Sequence, residues 1–385
     1  MLFSASPATG VLFLNWRDTT NPEGGGSEFY VETIARRLAA TGRPVTILCA
    51  AHPQAPREEV KDGVRFVRRG NHLTVYAWAA ALSALGRLGR PATVVEVHNG
   101  VPFLARLWTR RPVVVLVHHV HREQWPVVFG PAAARIGWWL ESWVAPRVNA
   151  RTPYIAVSEV TRRELVGLGV PREHITVVHN GTPEPLPTAA TRSARPSIAV
   201  LGRVVPHKRI ALVLDAAVLL RHEVPGLTVE VAGDGYGLAE LRRQVADRDL
   251  GDIVTVHGRV SEQAKADLLA RAWVHAVPSV KEGWGLSVVE AGSHRTPSVA
   301  FRSAGGLAES VLDGGSGLLV DDVDGFHDAL LLLLTDAPLR ARLGAGAAAQ
   351  AARFSWARSG EAFGAVLAPR NHTVPPPHHV QGAPR

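Results

Sequence analysis

Cysteine occurs once in the 385 residues, at Cys49, so no disulfide can form within the chain and a reducing cytoplasm is the expected setting. An apolar run at 45–48 leads into Cys49, which reads as a buried strand residue. Lysine is nearly as scarce. Lys61, Lys208, Lys265 and Lys281 are the four lysines among 42 basic residues, and arginine supplies the others. With abundant Ala, Gly and Pro, this is the coding bias of a GC-rich bacterial genome. No apolar run is long enough to cross a membrane, and the five leucines at 330–334 read as part of a core helix. No basic segment followed by an apolar core opens the chain, so no secretory leader is expected. RRM, helix-turn-helix and zinc-finger patterns are missing, as is any repeat of solenoid period, so no nucleic-acid partner is expected. The 42 basic residues exceed the 34 acidic ones by eight. This excess reads chiefly as dispersed surface arginine; it also suits phosphorylated ligands or an anionic membrane surface.

What is present is the composition of a globular protein, 46% apolar and 20% charged, long enough for two domains with real cores. Short apolar runs alternate with helix-like segments from end to end, the pattern of βαβ units and parallel sheets in an α/β protein. The first half predicts strands at 11–16, 45–49, 64–68, 93–97, 113–117, 154–157 and 175–179. A stretch dense in proline and glycine, 180–187, then marks a linker. The pattern restarts with strands at 197–201, 227–232, 253–256, 273–277, 298–301 and 317–320, and a last helix is predicted at 354–367. Parallel sheets bind ligands outside the carboxyl ends of their strands, and two such domains facing each other would hold a ligand in the cleft between them. The segment 369–385, rich in Pro and His without periodicity, is expected to be a disordered tail. Its histidines, His372, His378 and His379, have no complete metal-ligand set beside them.

The most informative stretch runs from Lys281 to Glu290, with Glu282 and Glu290 eight positions apart and Gly283, Trp284, Gly285 and Leu286 between them. An apolar run at 273–277 precedes it, and a helix is predicted to begin near Gly285. Unpaired N–H groups at a helix start attract phosphate, and a carboxylate beside them accepts hydrogen bonds from sugar hydroxyls. The combination suits a sugar joined to a diphosphate. Gly24, Gly25, Gly26, Ser27 and Glu28 follow the first strand and precede an amphipathic helix at 29–40; they either let backbone approach a ligand or simply cap that helix. Gly202, Arg203, Lys208 and Arg209 follow the first strand of the second half and offer cations for a diphosphate, or form a solvated basic turn. Gly233 to Gly235, and His257, Gly258 and Arg259, close later strands and suit the floor of a nucleotide site.

His118, His119 and His121 end a strand of the first half. A His-x-His zinc pair lacks a third ligand here, so a histidine facing a sugar hydroxyl or an acceptor is the better reading, beside a purely structural one. Trp125, Trp138, Trp139 and Trp143 follow and suit core packing or a groove lining. The nearby Arg135, Arg147 and Arg151 also suit contact with a membrane surface. The pair Asp322 and Asp324 resembles a metal-binding Asp-x-Asp but reads as a surface loop.

Taken together, these motifs resemble the retaining GT-B glycosyltransferases of family 4, the group 1 glycosyltransferases, from about residue 11 to about residue 367. Glu282 and Glu290 resemble the family's E-x7-E motif. Gly24 to Glu28 resemble its glycine loop, and Asn180-Gly181 the end of its first domain. Gly202-Arg203 with Lys208 resemble its diphosphate-binding pair, and Gly305-Gly306-Leu307 with Glu309 its late glycine-rich loop. The resemblance implies two facing Rossmann-like domains: 1–187 binding the acceptor, 188–353 binding the nucleotide sugar, and a crossover helix at 354–368 packing back on the first. It implies transfer of a sugar from a UDP- or GDP-sugar to a hydroxyl of a small molecule, glycan or lipid-linked sugar. It further implies retained configuration and no cofactor or metal, because cations take the metal's place at the diphosphate. The protein would be cytoplasmic, with a peripheral contact on the inner membrane face as an option.

The roles implied are residue by residue. His118, Arg203, Lys208 and Glu282 would be catalytic, with His121 as the alternative histidine. Gly25, Gly26, Gly202, Gly258, Gly283, Trp284, Gly285, Leu286 and Glu290 would bind the donor. His119, His121 and Trp125 would stand on the acceptor side. Departing diphosphate needs no carboxylate nucleophile, so Glu282 is not given that role. A sugar-nucleotide epimerase or hydrolase of the same architecture, or a non-catalytic nucleotide-sugar-binding protein, is the competing reading.

Overall fold

The computed structural model describes residues 10–368, so the predicted tail lies outside the described residues. Eight strands form the first sheet: β1 (Val11–Leu14), β2 (Val45–Cys49), β3 (Glu58–Lys61), β4 (Val64–Arg68), β5 (Thr93–His98), β6 (Val113–Val117), β7 (Tyr154–Ala156) and β8 (Ile175–Val177). Their order is β3-β4-β2-β1-β5-β6-β7-β8, parallel except for β3. The second sheet holds β9 (Ser197–Leu201), β10 (Thr228–Ala232), β11 (Val254–Gly258), β12 (Val274–Val277), β13 (Ser298–Phe301) and β14 (Gly317–Val320). It is all parallel, in the order β11-β10-β9-β12-β13-β14.

In each sheet the direction of strand addition reverses once, between β1 and β5 and between β9 and β12. Connections leave opposite faces of the sheet at such a point, and a crevice opens outside the carboxyl ends of the two strands. The glycine loop follows β1, the Gly202-Arg203 loop follows β9, and the Glu282 segment follows β12. The reversal therefore delivers the main motifs to two crevices.

Several strand ends shift by one or two residues from expectation, and one hairpin was not expected. β1 ends at Leu14 because the Asn15 Oδ1 accepts the Trp16 N–H at 3.0 Å and turns the chain. The β3–β4 hairpin was not predicted, because β3 is an exposed, charged edge strand with little apolar signal. Its cue was the dipeptide Asp62-Gly63, with φ of +51° and +77°, as a tight hairpin turn demands.

The last helix, Trp356–Leu367, begins two residues later than predicted, with Ser355 as its cap. It lies on the first sheet's side of the molecule. Phe363 packs against Phe13 of β1, with ring centroids 6.0 Å apart, and Trp356 packs edge-on to Tyr30 and Phe29 of the helix Gly26–Ala40, at 5.7 Å each. Burying each such side chain contributes roughly 1.5–3 kcal/mol, which holds the crossover in place. Where the chain first passes between the sheets it runs beside this return segment. A Cβ on Gly181 would stand 2.2 Å from the Trp356 nitrogen, so only glycine fits that crossing.

Candidate active site

The wall contributed by the second sheet is built from loop ends laid backbone against backbone. The Gly202 N–H donates to the Ala232 carbonyl (3.1 Å) and the Gly233 N–H to the Gly258 carbonyl (2.8 Å). Gly258, at φ +74°, thus supports the floor through its carbonyl. A Cβ on Gly233 would meet the Gly202 carbonyl oxygen at 1.8 Å, so the two loops can be this close only without side chains. A short turn, Pro206–Lys208, is tied to the Glu282 segment by the Val280 N–H donating to the His207 carbonyl at 2.8 Å. That brings the Lys208 ammonium onto the Glu282 carboxylate, which also accepts the Ser279 hydroxyl at 2.7 Å. Burial raises the affinity of Glu282 for a proton, but Lys208 and the two hydrogen bonds outweigh it, and the carboxyl titrates below its ordinary range.

Gly285 adopts φ +100° as the cap of the helix Leu286–Ser293, so this helix starts where predicted. The Trp284 side chain turns away from the crevice and packs with His179 (4.6 Å) and Phe354 (4.7 Å) between the sheets. Its indole thus serves the packing between the sheets. Glu290, one helix turn on, is half-buried against the Lys265 Nζ at 2.8 Å. Here burial prevails over the lysine, and the carboxyl titrates above its ordinary value.

The opposing wall comes from the first sheet. The Glu28 carboxylate accepts the Gly25 N–H at 2.7 Å and the Arg17 Nε at 2.9 Å, which fixes the glycine loop at the helix start. Arg203 reaches across and donates to the Glu23 carbonyl at 3.2 Å. A Cβ on Gly25 would lie 3.3 Å from the Arg203 Nε, and one on Gly26 3.0 Å from Leu286. His118, after β6, is buried edge-on to Tyr30 (5.2 Å). Its carbonyl oxygen would be 2.3 Å from a Cβ on Gly283, and its buried Nε2 has no partner among the described residues.

His118, Arg203, Lys208, Glu282, Gly25, Gly26, Gly202, Gly283 and Leu286 thus converge where the two sheets meet, with Glu290 and Gly258 on the second sheet's side. Among the acceptor-side candidates, the His119 and His121 rings lie 4.1 Å apart, each with a partner of its own. His119 bonds Gln124 at 3.2 Å, and His121 is turned to Glu141 at 2.9 Å. Trp125 is a correction: it is buried over Gly137, and its indole N–H donates to Glu141 at 2.7 Å. Its polar end is satisfied internally, so it packs a helix and does not line the crevice. An internal void of about 10 Å³ bordered by His98, Glu141 and Tyr154 has room for about one water and is separate from the site. Among the described residues, no three His, Cys, Asp or Glu side chains gather as a metal-ligand set. Asp322 accepts the Gly325 N–H at 2.8 Å as a helix cap.

Sequence reading missed the ion pairs that bridge the walls. Lys281 reaches both Glu164 and, at 3.0 Å, Glu123 of the first sheet's side. Glu309 accepts the N–H groups of Glu159 (2.9 Å) and Val160 (2.6 Å), capping the helix Glu159–Gly167 from across the gap. Three of the four lysines, Lys208, Lys265 and Lys281, pair with carboxylates at or beside the crevice. Their rarity in an arginine-rich chain was the signal available.

Burial lowers the His118 imidazole from 6.5 to about 4. An unfolded chain takes up this proton near 6.5, so between these two values the unfolded state binds more protons than the native one, and stability falls as pH drops. Replacement His118→Asn is expected to remove up to about 3 kcal/mol of that acid sensitivity. Urea unfolding of both proteins at a series of pH values measures it; parallel curves would show that His118 is not the source.

Comparison with known proteins follows this geometry. Residues 25–181 match the family model "Glycosyl transferase 4-like domain", and residues 188–350 match "Glycosyl transferases group 1". D-inositol 3-phosphate glycosyltransferase of a Nocardioides species is 31% identical, over 87% of this chain and 83% of its own length. The enzyme of that name from Thermobispora bispora is 30% identical over 92% of each chain. Among solved structures, sucrose-phosphate synthase from Thermosynechococcus elongatus superposes with a TM-score of 0.76 at 19% identity, covering 93% of this chain and 98% of that one. Anabaena HepE in complex with UDP and glucose gives 0.72 at 19% identity, over 93% and 99%. Two parallel sheets facing across a crevice, with both halves of the chain matched in order, place this protein among the group 1 glycosyltransferases of GT-B fold, enzymes of family 4.

Proposed function

We propose that the chain transfers a sugar from a UDP- or GDP-sugar to an acceptor hydroxyl, with retained anomeric configuration and without a divalent metal. The observation that carries this reading is the Lys208–Glu282 pair, with Arg203 beside it, set against the Gly25-Gly26 loop across the crevice. Lys208 and Arg203 are fixed cations in a largely water-excluded place, suited to the charge that grows on a departing diphosphate. The bond from the anomeric carbon to the phosphate oxygen breaks, and one to the acceptor oxygen forms on the same face. The acceptor proton passes to the released phosphate oxygen, so no protein carboxylate is consumed. Glu282, kept ionised by Lys208, accepts hydrogen bonds from the sugar. Glu290, with Lys265, meets the ribose hydroxyls, and neutral His118 offers its unpartnered Nε2 to the sugar.

HepE, similar in fold, was solved with UDP and glucose, and the relatives named above act on D-inositol 3-phosphate. UDP-glucose and D-inositol 3-phosphate are therefore the first donor and acceptor to try in a panel that includes GDP-sugars. Product analysis with and without acceptor tests the reading. A glycosylated acceptor, formed equally well in millimolar EDTA, is the expected result. Free or epimerised sugar formed without any acceptor would instead make the protein a hydrolase or epimerase, and loss of turnover in EDTA would overturn metal independence.

A further inference from the structure

The helix Pro131–Trp139 runs on through a π turn, Leu140–Val144, into Ala145–Val148. Its inward side is satisfied: Glu141 takes the Trp125 indole N–H, the His121 ring and the His121 backbone N–H. Its outward side is apolar, and among the described residues nothing covers it. Ile136 is 60% exposed, Trp139 51% and Trp143 48%, and Phe129 is exposed just before the helix. The two tryptophan rings stack 5.7 Å apart, and the Arg147 guanidinium lies 4.1 Å over Trp143. Large aromatics left this open require an explanation that lone exposed leucines do not.

The charge around them narrows the occupant. Between residues 124 and 158 the one acidic residue is Glu141, and it is buried. The cations of the same stretch, Arg135, Arg147 and Arg151, are exposed. The segment thus presents aromatic and basic side chains and exposes no acidic side chain of its own. A second copy docked on it by twofold symmetry would bring arginines against arginines. A surface of anionic phospholipid answers both features, since tryptophan favours the headgroup region and arginine the lipid phosphates. No helix among the described residues is long and apolar enough to cross a membrane, so this one would lie along the surface.

We infer that this helix face docks the protein on a bilayer containing anionic phospholipid. Glu141 joins the helix to the loop carrying His119 and His121, so the docked surface lies on the first sheet's side of the crevice. The inference does not depend on which sugar or acceptor the crevice takes.

Co-sedimentation of the full chain tests it, with vesicles of phosphatidylcholine alone and of phosphatidylcholine mixed with phosphatidylglycerol. Expected is binding to the mixed vesicles that weakens with salt and is much weaker on phosphatidylcholine alone. The variant Arg135→Gln/Arg147→Gln/Arg151→Gln should bind on the order of a hundredfold more weakly. Trp139→Ser/Trp143→Ser should also lose binding while keeping its melting curve and its turnover of soluble substrates. No binding by the unaltered chain, or variants that bind as tightly as the unaltered chain, would overturn the proposal. So would concentration-dependent dimerisation abolished by the tryptophan variant, which would assign the face to a second copy.

Discussion

Replacing Lys208 by alanine is expected to lower kcat/KM for the true donor by about a hundred- to a thousandfold, equivalent to roughly 3–4 kcal/mol of transition-state stabilisation. Arg203→Ala should fall in the same range. The size follows from place as well as charge: the Lys208 ammonium is mostly shielded from water and already directed onto Glu282, so little reorganisation is needed as negative charge grows beside it. The lysine change carries a second signature. Without its partner, Glu282 keeps its burial and loses its chief compensation, so its carboxyl must titrate higher than in the unaltered protein. The acid limb of the rate profile should therefore move to higher pH in Lys208→Ala, and by less in Arg203→Ala, whose charge also acts on the Glu282 carboxylate but more weakly than the lysine's. Steady-state kinetics across pH, with a melting curve to verify folding, measure both effects. Turnover close to that of the unaltered chain in both variants would remove the two cations from the chemistry.

Gly283→Ala is expected to abolish most activity, by about a hundredfold, while leaving most of the stability intact. The added methyl would stand 2.3 Å from the His118 carbonyl oxygen, and backbone cannot yield as a side-chain tip can. Because His118 belongs to the opposite wall, the clash is relieved by parting the walls and not by unfolding either sheet. Parting them withdraws the Gly25-Gly26 loop from Arg203 and Leu286 and breaks the contacts of Lys281 and Glu309. A displacement near 1 Å in a positioned site costs on the order of a hundredfold in rate. Kinetics compared with urea unfolding separate this from simple destabilisation. If activity and stability fell together, Gly283 would be a packing residue alone. If neither changed, the close approach of the walls would not matter to catalysis.

Much of the site was legible because its parts lie at the ends of strands, where local pattern speaks. Apolar runs located the strands, and glycines or cations immediately after them, as at Gly202-Arg203 and Glu282 to Leu286, marked the loops. Trp125 shows where such reading stops. A tryptophan just past a strand looks the same in sequence whether it faces a crevice or a neighbouring helix. Its burial over Gly137, with its N–H on Glu141, depends on a helix turn twelve residues away. Trp284 is similar: it sits inside the strongest motif, yet its ring serves the packing between sheets. The pairings of Lys265 and Glu309 were hidden for the same reason, since their partners, Glu290 and the start of the helix Glu159–Gly167, are remote in the chain.

By itself, then, the order of apolar runs, turns and prolines determined two parallel α/β units and the loops of the candidate site, because strand and helix formation respond to near neighbours along the chain. Only the tertiary structure decided which groups meet: Lys208 with Glu282, Arg203 with the glycine loop, His118 with Gly283, and Glu309 with a helix of the other unit. Such pairings depend on strand order within each sheet and on the return of Trp356–Leu367 to the first sheet's side. Both are set by packing of surfaces far apart in sequence, for which no local periodicity exists.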